Sequence, residues 1–420
     1  MLKLYNNINL AISVAKYAPL TSLVYNSDGT DIYEGNKFLF FKTAIKKLVQ
    51  IFFYSSKVKT TKVETFEIGV LIRHPSQFQM WKKTLDEFKP EQITILINDD
   101  KFRKEILQIV SENNWNSIDF NDSLKLFRLK SFFYYLRNVR KVTNPISLFE
   151  TLGRTEYFIQ KFNTIEGKVL LTLAYEVNPI SHVFCQIAQS NNIRVVNTMN
   201  GLKNHGVRNS DTNFDTWLVW SEHQKDLLVN YNKIPANQLV ISGHLNADYL
   251  PQIDPKTVSQ KYDLLFFTQP DPHGIRPHFM KEVNEIIKAY PDLKMGIKIH
   301  PLEKKEDIEG ALDTNNKIEI LDDHGKEELF DSILSSNLIV IMYSTIGIEA
   351  LMMGKRVVSF RHGEDRFPIN EEIVPRFTNL DEFNLCRTID EFDGKDMNYF
   401  VGPKDGFNYK NSAKLIATYL

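Results

Sequence analysis

The stretch from Met295 to Phe360 constrains this chain most. It holds Met295-Gly-Ile-Lys-Ile-His-Pro301 and an apolar run Leu338-Ile-Val-Ile-Met342, followed directly by Tyr343-Ser-Thr-Ile-Gly-Ile-Glu-Ala-Leu-Met-Met-Gly-Lys355 and a second run Arg356-Val-Val-Ser-Phe360. An apolar strand, a small-residue turn, a helix-compatible segment with a glycine stop and another strand spell a βαβ unit. In open parallel sheets ligands sit outside the carboxyl ends of the strands, where helices begin. Lys298, His300, Pro301, Ser344 and Thr345 all fall at such ends, where a phosphate can bind.

Ser344 and Thr345 follow a buried-type strand and open a helix, so their hydroxyls and the unbonded N–H groups of the first turn can converge on an anion. Lys298 and His300 share a strand face, because strand side chains alternate with period two. Glu349, a turn further along the helix, can accept hydrogen bonds from ribose hydroxyls. The plain alternative is that Ser344 only caps the helix, as serine before an apolar periodic run commonly does.

The rest of the chain alternates in the same way. Strands are expected at 68–72, 93–97, 169–173, 195–199, 217–220 and 239–242, then at 263–268, 295–299, 318–321, 338–342 and 356–360. Helices are expected at 77–88, 104–112, 125–142, 147–162, 182–190, 279–290, 327–334 and 409–420. Short apolar runs alternating with helical patterns argue for parallel sheets covered on both faces. Residues 245–261, with Pro251 and Pro255, read as a connection between two halves. Gly243 closes the strand before it and allows close backbone approach, and Gln269 ends the next strand, where its amide could touch a phosphate; both are further binding-site candidates. Arg361 and His362, after the last of these strands, can add positive charge or pair with Glu364 or Asp365.

A chain of 420 residues is long enough for two domains with separate cores. Its 51 basic and 52 acidic residues leave no global field to attract nucleic acid. The two cysteines, Cys185 and Cys386, are far apart and lack metal-site spacing, which points to a reducing compartment. No secretory signal pattern opens the sequence, so a cytoplasmic location is expected. Residues 1–60 read as a helical N-terminal segment. Within it 37–57 is rich in Phe and Lys, with apolar positions 38, 41, 45, 48 and 52 on one helical stripe. Such a helix either lies on an anionic membrane surface, which would put the protein at the inner face of the cell membrane, or packs on the core with its lysines in water.

The Lys298-x-His300-Pro301 element, with Ser344-Thr-x-Gly-x-Glu-Ala-Leu351 and Gly354-Lys-x-Val-Val358 after it, resembles the donor-binding half of GT-B glycosyltransferases. It is similar to the capsule polysaccharide synthesis transferases, the His-Pro-motif bacterial sialyltransferases and the CDP-glycerol glycerophosphotransferases. The resemblance covers residues 262–360. It implies two Rossmann-like domains facing across a cleft: an acceptor-side domain at 61–250, a nucleotide-sugar donor domain at 251–405, and a C-terminal helix at 406–420 that crosses back to the first. It also implies a cytidine-activated donor, a glycan or glycolipid acceptor, and a leaving nucleotide stabilised by Lys298, His300, Ser344 and Thr345 with no metal and no cofactor. An Asp-x-Asp motif is absent; Asp99-Asp100 and Asp322-Asp323 are adjacent pairs.

An attacking hydroxyl needs a base within hydrogen-bond reach. Three candidates follow strands of the first half: Asp100, Glu176 and His205. The loop 198–206 resembles the Thr-Trp-His-Gly turn that carries the base in the glycerophosphotransferases, but Asn200 stands where that His would be, and His205 lies five residues on. The sialyltransferases use an acidic base, for which Asp99, Asp100 or Glu176 is the analogue. Each has an ordinary alternative as a helix cap, a surface residue or a salt-bridge partner. The expected activity is an inverting transfer of a sugar from a cytidine-activated donor, foremost a CMP-linked keto-sugar acid. The alternatives are a CDP-polyol phosphotransferase, a UDP-sugar transferase, a nucleotide-sugar epimerase and a non-catalytic assembly scaffold.

Overall fold

The computed structural model describes residues 63–72, 75–97, 102–120, 157–173, 179–199, 214–231, 233–250, 257–270, 274–313, 318–323, 325–342, 344–363, 371, 373–388, 397–403 and 408–420. The expected helices at 37–57 and 125–142 lie outside them, as do Asp100, Glu176 and His205.

Two wholly parallel sheets organise the described residues. The first contains β1 (Glu64–Ile72), β2 (Ile93–Ile97), β3 (Asn116–Asp119), β4 (Ile165–Thr172), β5 (Arg194–Thr198), β6 (Thr216–Val219) and β7 (Leu239–Ile241), in the order β3-β2-β1-β4-β5-β6-β7. The second contains β8 (Tyr262–Phe267), β9 (Met295–Lys298), β10 (Glu319–Leu321), β11 (Ser336–Ile341), β12 (Arg356–Phe360) and β13 (Arg376–Phe377), in the order β10-β9-β8-β11-β12-β13. Each chain path runs outward from its first strand, returns, and continues on the other side. That is the doubly wound pattern, with a switch point between β1 and β4 in one sheet and between β8 and β11 in the other. The fold is the two-domain α/β arrangement that the GT-B resemblance implies.

The helices of the first half are α1 (Pro75–Leu85), α2 (Arg103–Glu112), α3 (Pro179–Ser190) and α4 (Glu222–Asn230). The second half adds α5 (Arg276–Ala289), α6 (Lys305–Glu309), α7 (Lys326–Leu334), α8 (Ile346–Met352), α9 (Leu380–Thr388), α10 (Met397–Val401) and α11 (Asn408–Ala417). Because helices cover both faces, consecutive strand residues are buried on opposite sides: Ile68 and Val70 of β1 join one cluster, and Leu71 the other. This is why the strands read as unbroken apolar runs rather than as alternations.

Two strands escaped the sequence reading. β3 is four residues of mostly polar sequence at a sheet edge, and β13 is two residues long. The stretch expected as a plain connection begins with a 3-10 turn, Leu245–Tyr249, that is part of the packing. Leu245 sits in a core of the first sheet, whereas Ala247 and Leu250 sit in one of the second.

The last helices return to the first sheet. In α10, Tyr399 donates its hydroxyl to Asp226 of α4 at 2.8 Å. Ile416 of α11 is buried in the core with Ile68 and Val70, and Tyr419 stands 3.1 Å from Thr216 of β6. Asp248 caps the start of α11 with both carboxylate oxygens, taking the N–H of Asn408 at 3.2 Å and of Tyr409 at 2.7 Å. A carboxylate suits that position because the first N–H groups of a helix have no internal acceptor.

Candidate active site

A cavity of about 220 Å³ opens at the carboxyl ends of β8, β9, β10 and β11, at the switch point of the second sheet. Thr268 enters from β8; Lys298, His300 and Pro301 from β9; Asp323 from the end of β10; Ser344, Thr345 and Glu349 from the turn after β11 and from α8. Phe267, Ile299, Leu329 and Ile346 supply the apolar part of the wall. Six of the eight residues singled out from the sequence for the donor side therefore meet in one place, although they span more than fifty positions.

Lys298 is the last residue of β9, and its side chain is 5% exposed. Its ammonium pairs with the Asp323 carboxylate and also donates to the Asp323 main-chain oxygen. Burial pushes the Lys298 pKa down from its ordinary value, while the Glu328 and Asp322 carboxylates act the other way. An unpaired ammonium would be costly at such a position, and Asp323 supplies its partner.

His300 is oriented by its own turn. Its Nδ1 accepts the Leu302 N–H at 3.1 Å, which assigns the ring proton of the neutral imidazole to Nε2. Its backbone N–H donates to Glu303 at 3.2 Å. Glu303 was not anticipated from the sequence. Its side chain, 2% exposed, also accepts the Thr268 hydroxyl at 2.6 Å and Arg276 at 3.1 Å. One buried carboxylate therefore joins the end of β8, the turn after β9 and the start of α5. A local signal existed: a Glu three residues after the start of a turn is spaced to take its free N–H, the logic of a capping box. The bonds to Thr268 and Arg276, 35 and 27 positions away, left no local trace.

Ser344 serves as a turn cap and as a wall of the cavity together. Its Oγ accepts the Ile346 N–H at 3.3 Å, and the hydroxyl still has a proton to donate. Thr345 is exposed and makes no capping bond with its side chain. Glu349 follows on α8, half-buried and lining the same cavity.

Gly243 and Gln269 are not among the residues lining the cavity. Gly243 adopts φ +80°, and a Cβ there would lie 2.0 Å from the Asn408 side chain; the close approach read from the sequence is to the start of α11. Gln269 is half-buried beyond β8, and its Oε1 has no partner among the described residues. Arg361 pairs with Glu371 at 2.8 Å, and His362 stacks on His278. Next to Gly243, His244 is buried against Trp220 with ring centroids 3.7 Å apart, and burial pushes its pKa down to about 3.

No protein-family model matches the chain, and no curated protein sequence matches it. Solved structures do. The UDP-GlcNAc 2-epimerase of Methanocaldococcus jannaschii is similar with a TM-score of 0.52 and 12% identity, over 85% of this chain and 100% of that one. The S. aureus MnaA-UDP co-structure gives 0.50 and 15%, over 84% and 96%. The wall teichoic acid polymerase TagF gives 0.48 and 12%, over 91% and 98%. At such identities the likeness is one of architecture: the chain has a GT-B-like fold of two Rossmann-like domains.

Proposed function

We propose that the protein is a GT-B transferase that binds an activated nucleotide donor in the cavity at the β8/β11 switch point and transfers its glycosyl group to a glycan or glycolipid hydroxyl. One observation carries the reading: Thr268, Lys298, His300, Ser344, Thr345 and Glu349 converge on a single cavity at the strand ends. Its volume suits the ribose and phosphate portion of a donor. Glu349 is assigned to the ribose hydroxyls. Lys298, the His300 Nε2–H and the Ser344 hydroxyl are assigned to the phosphate.

In this reaction the acceptor oxygen bonds to the anomeric carbon while a base takes its proton. The bond to the nucleotide breaks, and its electron pair stays on the phosphate oxygen. Donors fixed at that oxygen lower the barrier because charge develops there. The base is assigned to the segments following β2, β4 and β5, with Asp100, Glu176 and His205 as candidates. The donor is assigned as cytidine-activated, with a CMP-linked keto-sugar acid foremost and an inverting outcome, on the sequence resemblance in residues 262–360. A CDP-polyol phosphotransferase shares the same clamp. The architecture shared with UDP-GlcNAc 2-epimerases makes epimerisation of a free nucleotide sugar the competing outcome.

Thermal-shift and calorimetric titration with CMP, CDP, UMP, UDP and GDP tests the assignment. Selective stabilisation by cytidine nucleotides, about 2.7 kcal/mol at a hundredfold excess over Kd and lost in His300→Ala, is expected. Selective binding of UDP, with turnover in the absence of any acceptor, would replace the transferase with the epimerase. Absence of nucleotide binding would move the scaffold to the front.

A further inference from the structure

We infer that Asp323 is a specificity residue that sets how much negative charge the phosphate site accepts. The inference rests on the donor-site reading above and adds to it a residue that no feature of the sequence singled out for this role.

The two members of the Lys298–Asp323 pair are not equally placed. Lys298 ends a central strand with its side chain 5% exposed, whereas Asp323 lies past the end of β10 with its side chain 46% exposed. An anion that reaches Lys298 meets an ammonium already held by a carboxylate. Of the two, the carboxylate is the one that can turn into water, where an ionised group is well solvated. Glu349 adds a second carboxylate to the cavity wall. The neighbouring cations among the described residues are also matched: Arg276 by Glu303 at 3.1 Å and Lys305 by Asp322 at 3.8 Å. The lining thus sets the Lys298 ammonium against the Asp323 and Glu349 carboxylates.

Electrostatics then makes charge discrimination unavoidable. The repulsion between Asp323 and a bound phosphate scales with the phosphate's charge, and at a half-exposed position one unit of charge changes affinity about 10-fold. In glycosyl transfer from a nucleoside monophosphate donor, the phosphate is a singly charged diester before the bond breaks. Afterwards it keeps the bonding electron pair and is a monoester with one further charge near neutral pH. Asp323 therefore disfavours the leaving nucleotide more than the donor, and by returning to Lys298 it speeds product release.

The experiment compares the full chain with Asp323→Asn, which retains the main-chain oxygen that also holds Lys298. The probes are CMP and UMP, each beside its phosphate methyl ester, with cytidine and uridine as uncharged controls. Affinities are read by calorimetry at low and high ionic strength. The expected result is tighter binding in Asp323→Asn: about 10-fold for the methyl esters, about 10-fold more again for the monoesters, and unchanged for the nucleosides. The additional gain should shrink at high salt and should fade as pH drops through about 6, where the monoester takes up its second proton. Equal gains for esters and monoesters, or no gain, in a protein that binds these nucleotides would overturn the role of Asp323 and leave the donor site standing. Folded wild type and variant that bind none of the probes would overturn both. Unfolding curves of the two proteins show whether any weakened binding reflects lost structure.

Discussion

The two sheets offer the same crevice twice and furnish it differently. The last register pair between the first and second strands is Ile72 with Ile97 in one sheet, and Phe267 with Lys298 in the other. Ile97 and Lys298 are thus topological equivalents, and both are buried. In the second sheet the polar chemistry begins inside the strand, on the most rigid part of the scaffold. In the first, β1 and β2 stay apolar to their ends. Topology determines where a ligand can sit, but a single residue at the last ladder position determines whether the scaffold itself presents a charge. A charge so placed is held by main-chain bonds on both sides, so little ordering is left to do when an anion arrives.

The comparison can be broken most directly with Lys298→Met, which gives β9 the apolar ending of β2. Nucleotide affinity should fall by about 10²–10³, the scale of removing one partner of a buried, hydrogen-bonded charge pair on binding. The unfolding temperature should hold or rise, because replacing a buried ion by a hydrophobe of similar volume is often neutral or stabilising and Asp323 is left solvated. Calorimetric titration and a thermal melt on the same sample measure both. Unchanged binding would mean that the two sheet ends are equivalent after all.

Glu303→Ala asks how much of the second crevice depends on the buried carboxylate beneath it. Thr268, the His300 N–H and Arg276 would lose their acceptor, and stability should fall by about 2 kcal/mol in urea unfolding. Glu303→Gln, which keeps an acceptor oxygen, should lose less than half as much. If both variants unfold like the wild type, the network is incidental.

The last test belongs to the first half and concerns His244. Its folded pKa of about 3 lies below the unfolded value of 6.5, so below pH 6.5 the unfolded chain binds a proton that the folded chain refuses. Stability is then fully present above about pH 6.5 and declines by about 1.4 kcal/mol per pH unit as the pH falls toward 3. Carboxylates titrate in the lower part of that window, so the measurement is a difference: His244→Phe should flatten the wild-type slope by one proton between pH 6 and about 4.5. Identical slopes would mean that His244 reaches solvent.

The sequence made the second crevice legible because its residues are polar side chains set directly after apolar runs. Lys298, His300, Ser344, Thr345 and Glu349 each stand out against a hydrophobic strand or helix, and the structure gathers them on one cavity. Their partners were not legible. Asp323 was weighed only as half of an adjacent acidic pair, and Glu303 not at all, because what gives each its place is a bond formed across 25 to 35 positions of chain. The strands were readable wherever both faces are buried, and were missed at β3 and β13, where edge position and brevity remove the hydrophobic signal. Gly243 shows a third situation: its need for close approach was readable, but the identity of what approaches, Asn408, was not.

The cap that Asp248 places on α11 bears on how the protein is made. The carboxylate and the Tyr409 N–H that it accepts are 161 residues apart. At a synthesis rate of roughly 5–20 residues per second, the first sheet waits about 8–30 s on the ribosome before Ile416 can fill its place among Ile68 and Val70. Through that interval the first half is an unfinished core, and its completion coincides with the arrival of the second. Folding of the two halves is thereby tied to the order in which the chain emerges, with the earlier half finishing last.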